Sequence, residues 1–242
     1  MSHRRIDFRR PTGTVMGYTV RYSARAKRLQ IRVRPWFGVE IVAPRRCALR
    51  QIERFVSAQR AWIESVCREL PLPPPADSLP DSIVLPAIGA AYRADYGKLA
   101  GRASVAERGR VLHVPAGPDD PAAARQQLRK WLAATTRAVL LPRLDELARR
   151  HGFKYHKVSV RGQRTRWGSC SSRKQISINY KLLFLAPDLV DYLFIHELAH
   201  TRQLNHSPRY WRVVEACLPD YRELEVRMSE AWKDVPGWVE IP

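Results

Sequence analysis

The sequence predicts an α+β protein, with a β-rich N-terminal region over residues 1–115 followed by a largely helical part over residues 116–242. Three observations carry this. Short alternating runs rich in β-branched and aromatic residues recur through the first region, and apolar residues at three- and four-residue spacing dominate the second. A proline-rich stretch at 70–80, LPLPPPADSLP, can belong to neither a helix interior nor a central strand, because proline fixes φ and removes a donor. At 242 residues, with 45% hydrophobic and 27% charged residues, the chain can bury a core without disulfide or metal staples. Cys47, Cys67, Cys170 and Cys217 lie far apart and form no CxxC pair, so they read as free thiols.

Taken in order, residues 18–22, 29–33 and 39–42 are β-type runs with Pro35 and Gly38 between the last two, which predicts a small antiparallel sheet. From 50 to 67, Ile52, Phe55, Val56, Trp62, Ile63 and Val66 fall at helical spacing and predict one amphipathic helix. The 70–80 stretch is then a linker or long loop, and strands follow at 83–85, 92–96 and 111–114. Pro121 opens a long helix that runs to Arg150 and stops at Gly152, with Pro142 expected to kink or split it. Residues 157–160 and 175–180 alternate as strands around the polar segment RGQRTRWGSCSSRK, and a helix resumes near Pro187. No internal repeat is visible.

Charge is unevenly spread. Of a formal net +19, residues 1–60 carry +12, from 15 basic and 3 acidic side chains, whereas residues 191–242 hold 6 basic and 9 acidic ones. The basic end makes non-specific nucleic acid a candidate partner, although only 8 of the 42 basic residues are lysine, and such arginine dominance also follows from genome base composition. No apolar run approaches the roughly 18 residues of a membrane span, and MSHRRIDFRR has no apolar core of a signal peptide; a cytoplasmic protein with no membrane partner is expected.

The segment DYLFIHELAHTRQLNHSP, from Asp191 to Pro208, contains HExxH, a pattern that chance would place in only about 0.01 chains of this composition. Leu189, Val190, Leu193, Phe194, Leu198 and Ala199 make the segment a buried helix, on which His196 and His200 stack one turn apart. Catalytic zinc takes three protein ligands and keeps one position open. The third candidate is His206, held in a turn where Asn205 is expected to end the helix in the left-handed conformation and Ser207-Pro208 to cap the next one. Glu215 is the alternative. One zinc ion per chain is therefore expected on His196, His200 and His206, with Glu197 as general base toward a metal-activated water.

HELAH with the trailing NHSPRYW, the upstream RTRWGSC and the stretch RLQIRVRPWFGVEIVAPRR together resemble the YgjP-like zinc metallopeptidases, relatives of the SprT-like and WLM proteases. The resemblance implies a zincin-like catalytic domain over 116–242, zinc on the three histidines, the catalytic role for Glu197 and peptide-bond hydrolysis. Gln203 stands where metzincins carry glycine, which argues against a true metzincin. It also raises two alternatives: a nucleoside triphosphate (UTP-type) pyrophosphohydrolase on the same metal site, with the RGQRTR arginines holding phosphates, and a DNA-associated SprT-like protease anchored by the basic N-terminal region. No carboxylate cluster or glycine-rich phosphate loop is present, so peptidase with a polypeptide substrate leads. Arg161, Arg166, Tyr180 and Tyr210 are candidates for substrate or oxyanion contacts, with Arg164 in the same cluster, while Trp167, Trp211 and Cys170 are assigned to structure.

Overall fold

A computed structural model describes residues 3–9, 15–34, 38–69, 75, 78–97 and 104–240. The chain divides into two compact units, Met1–Pro74 and Pro75–Pro242. The division falls inside the proline-rich stretch rather than at 115/116. The strands between 82 and 114 belong to the second unit because Ile83, Leu85, Tyr92, Leu112 and Val114 are buried in one core with the helices that follow them.

In the first unit, strands β1 (His3–Arg9), β2 (Val15–Ser23), β3 (Gln30–Arg34) and β4 (Gly38–Pro44) form a sheet of order β1-β2-β4-β3. The expected purely antiparallel sheet is not found, since β4 inserts between β2 and β3 and pairs with β2 in parallel. The reason lies in its side chains: Val39, Ile41, Val42 and Ala43 are all buried, a near-continuous apolar run that suits a central strand. The expected single helix is two, α1 (Leu49–Ala58) and α2 (Arg60–Glu69), broken at Gln59 where φ and ψ leave the helical region at −101° and 9°. Both present apolar residues, Ile52, Val56 and Ile63, to the core of this unit.

The second unit repeats the same sheet topology with different residues. β5 (Ser82–Leu85), β6 (Ala90–Tyr96), β7 (Ala106–Arg108) and β8 (Val111–Val114) run in the order β5-β6-β8-β7, again with a parallel pair, β6–β8, between two antiparallel ones. Helix α3 (Pro121–Thr135) is capped by the Asp120 carboxylate, which accepts from the Ala123 amide at 2.9 Å, and it packs Trp131 edge-on to Tyr92. Instead of splitting at Pro142, the helix passes through a π-helical turn, Thr136–Leu140, into α4 (Leu141–Arg150). The wider turn accommodates the proline's missing donor without a break. Gly152, at φ +65°, ends α4 as expected.

A third sheet holds the functional region. β9 (Lys157–Arg161) pairs in parallel with β11 (Gln175–Asn179), and β10 (Gly168–Cys170) pairs antiparallel on the other side, so β10 is an edge strand. After a 3-10 turn at Tyr180–Phe184 comes α5 (Pro187–Ala199), followed by α6 (Pro208–Cys217) and α7 (Tyr221–Glu230). Helix α5 is buried on nearly every side, as an apolar helix at the centre of a layered domain must be. Arg143 of α4 grips Asp191 of α5 through two bonds, at 2.5 and 2.6 Å, and so fixes the helix lengthwise. Among the described residues no helix is long and apolar enough to cross a membrane.

Candidate metal centre

Helix α5 carries His196 and Glu197 in its last turn, and His200 follows as its C-cap with helical dihedrals, φ −63° and ψ −18°. The helix does not end through a left-handed Asn205: among the described residues only Lys174 is a non-glycine with positive φ. It closes instead by short-range bonds, Thr201 N–H to Leu198 O at 2.9 Å and Arg202 N–H to Ala199 O at 3.0 Å, which draw the chain in tightly without a left-handed residue. Ser207 is the N-cap and Pro208 the first residue of α6, as the sequence suggested, and the turn between the helices returns His206 to the pair on α5.

One nitrogen from each of His196, His200 and His206 lies within 4.8 Å of the other two, and Glu215 joins no such group. The Nε2 atoms of His196 and His206 are 3.2 Å apart. Two ligands bonded at roughly 2.0–2.1 Å to a tetrahedral ion stand about 3.3 Å apart, so the donor set fits a divalent ion such as zinc. His200 Nδ1 is 3.1 Å from the Gln203 carbonyl, to which it donates, leaving Nε2 as the free lone pair. Burial, and then the neighbouring His200 and His206, hold the His196 pKa down at about 3, so the imidazole stays neutral and available as a ligand.

Glu197 is 4% exposed, and among the described residues its Oε2 has no hydrogen-bond partner. Burial pushes its pKa up to about 8, opposed by the charge of Arg166. A buried carboxylate oxygen left unpaired beside three converging imidazoles is costly unless something else occupies the site. Its neighbour on the sheet side is Gly168 of β10. A Cβ at that position would stand 2.7 Å from Glu197 Oε1, 2.8 Å from Cγ and 2.9 Å from Cδ, so only glycine lets the edge strand and the glutamate lie this close.

Of the flanking candidates, Tyr210 and Arg166 come to the site. Tyr210 is fully buried, its ring stacks on His200 with centroids 4.6 Å apart, and its hydroxyl donates to the His196 carbonyl at 3.0 Å. Trp211 stacks on His206 at 5.7 Å and on Tyr221 at 5.1 Å. Tyr180 is buried in the core, with its hydroxyl against Gly162, and Arg161 is exposed at the end of β9; among the described residues neither has a hydrogen bond or ring contact to the histidines or Glu197. The Cys170 thiol is raised to about 11, by burial and then by the Glu197 charge, and it stays outside the ligand group.

Sequence reasoning missed the supports of this site. Asn179, wholly buried, donates from Nδ2 to the carbonyls of Gln163 and Arg166, both at 2.8 Å, and pins the arginine-bearing loop. Lys181 donates to the Gln163 carbonyl at 3.2 Å and forms a buried ion pair with Glu240, while Trp232 stacks on Trp167 at 3.9 Å. Gly168 stood inside the RWGSC motif, but its closeness to Glu197 is not a property of local sequence.

Three imidazoles on and just after an HExxH helix, with the glutamate between them, form a donor set that could hold a metal ion. The chain belongs to the YgjP-like metallopeptidase domain family, whose pattern matches residues 27–231. No curated protein matches. Among solved structures, the chain is similar to the metallopeptidase zymogen of Pyrococcus abyssi abylysin, at 27% identity and a TM-score of 0.33 over 36% of this chain and 89% of that one. It is also similar to the zymogen of Methanocaldococcus jannaschii jannalysin, at 16% identity and a TM-score of 0.33 over 36% and 90%.

Proposed function

We propose that the protein is a zinc-dependent peptidase that hydrolyses polypeptide with Glu197 as general base. The observation that carries this is the three-histidine donor set beside a buried, unpartnered Glu197 oxygen, directly against the edge strand β10. A bound zinc ion supplies Lewis acidity, which polarises the scissile carbonyl and makes water acidic enough to give up a proton. The chain's own residues do the rest. β10 offers unpaired backbone groups on which an extended substrate adds as a further strand. Glu197 takes the proton of the attacking water and delivers it to the departing amine. Tyr210 holds the helix end that bears His196, and the exposed His206 leaves the centre open to solvent.

The test compares wild type with Glu197→Gln on an unfolded protein substrate and on UTP, with zinc content measured in the same samples. Cleavage of the polypeptide by wild type, lost in a variant that keeps its zinc, supports the reading. Turnover of UTP without proteolysis overturns it.

A further inference from the structure

A second concave site is lined by none of the three histidines or Glu197. Arg202, Arg209 and Arg212, together with His151, line a cavity of about 490 Å³ that has no carboxylate in its walls. Arg202 is held in place: its Nη2 donates to the carbonyls of His151 and Gly152, both at 2.9 Å, and its guanidinium lies 4.2 Å over the Phe153 ring. That leaves the donors of Nε and Nη1 unused. Arg209 and Arg212 are three residues apart on α6, hence neighbours on one helix face, and neither has a hydrogen bond or ion pair among the described residues. The carboxylate of Glu215, one turn further along, is absent from the cavity walls.

Three guanidinium groups facing one depression repel one another unless an anion lies between them. The chemistry of the donors says which anion. A carboxylate carries one charge on two oxygens, whereas a terminal phosphate presents three oxygens and up to two charges, enough to engage three forks at once. The cavity is within the range of small-molecule sites and has room for more than the phosphate itself. We propose that this cavity is a binding site for a small molecule bearing a terminal phosphate, distinct from the histidine centre. Arg202 supplies the fixed fork, and Arg209 and Arg212 close on the phosphate from α6. Arg202 and Arg209 bracket in sequence the turn that holds His206.

Titration calorimetry of the full-length protein with inorganic phosphate, near physiological salt, tests the site. Saturable one-to-one binding is expected, weakened about tenfold or more by either Arg209→Ala or Arg212→Ala and unchanged by His206→Ala. Both arginines are exposed helix residues, so their replacement leaves the fold intact, which circular dichroism verifies. Absence of saturable binding at millimolar phosphate, equal affinity in the arginine variants, or loss of binding in His206→Ala would each overturn the proposal. A single-stranded oligonucleotide with a 5′-hydroxyl, which carries only internal diesters, should fail to displace phosphate at equal phosphate concentration. If it succeeds, the cavity recognises a nucleic-acid backbone and the small-molecule assignment falls.

Discussion

Replacing Gly168 by alanine should separate catalysis from metal binding. The added methyl would stand 2.7–2.9 Å from three atoms of the Glu197 side chain, where ordinary contacts begin at about 3.5 Å, so the carboxylate must retreat by roughly 0.7 Å. It cannot do so freely, because Glu197 is 4% exposed and packed on all sides. Overpacking of this kind costs about 1–3 kcal/mol, which lowers the melting temperature by a few degrees for each kcal/mol but leaves the domain folded. A displacement approaching 1 Å in a group that must meet the attacking water costs up to about 10²-fold in rate. None of the three atoms nearest the added methyl belongs to a histidine, so zinc content should stay at the wild-type level. The assay is steady-state cleavage of an unfolded protein or fluorogenic peptide, with metal analysis of the same preparation and a melting curve to confirm folding. Expected are a kcat lower by roughly 10- to 100-fold and a KM little changed. A folded, zinc-replete variant with kcat within about threefold of wild type would refute the close-approach argument.

Three other perturbations follow from the same geometry. In metal-free protein, the Glu197 carboxyl is raised to about 8 from 4.5, so the folded state binds this proton more tightly and the group's contribution is fully present below about pH 4.5 and lost as pH climbs toward 8. Glu197→Gln should then match wild type near pH 4 and exceed it by about 4 kcal/mol at pH 8 in chemical denaturation, with equal stability at both pH values counting against the buried-charge account. Tyr210→Phe keeps the ring against His200 but strips the donor from the His196 carbonyl; a loss of about 1–2 kcal/mol is expected, with zinc released several-fold more readily to a chelator. Lys181→Met alone leaves Glu240 as an unpaired buried charge and should cost about 3–5 kcal/mol, whereas Lys181→Met with Glu240→Leu should recover most of that loss in urea unfolding; an additive double variant would show that the two residues are not coupled.

The centre itself was legible because its chemistry is written locally: i and i+4 histidines on an apolar helix point the same way whatever surrounds them, and Pro208 announces the helix that returns His206. Pairing partners were not legible. The parallel pairs β2–β4 and β6–β8 join segments whose alternation is the same as in antiparallel strands, and only burial of β4 on both faces distinguishes its central place. The shared topology of the two four-stranded sheets stayed hidden for the same reason, since hydrogen-bond order depends on backbone and carries no residue signature. Strands 82–114 read like those before the proline run, and membership in the second unit emerges only from the core they share with α3 and α5. Gly168, Asn179 and Glu240 act across distances in sequence that no window spans.

The ion pair between Lys181 and Glu240 has a consequence in time. Chains emerge from the ribosome N-terminus first, at about 5–20 residues per second, so all three histidines and Glu197 are synthesised roughly 2–7 s before Glu240. Until that residue arrives, Lys181, which donates to the Gln163 carbonyl, lacks the buried carboxylate it is paired with. The nascent protein therefore holds its three histidines and Glu197 before it holds the carboxylate that neutralises the lysine bonded to the Gln163 loop.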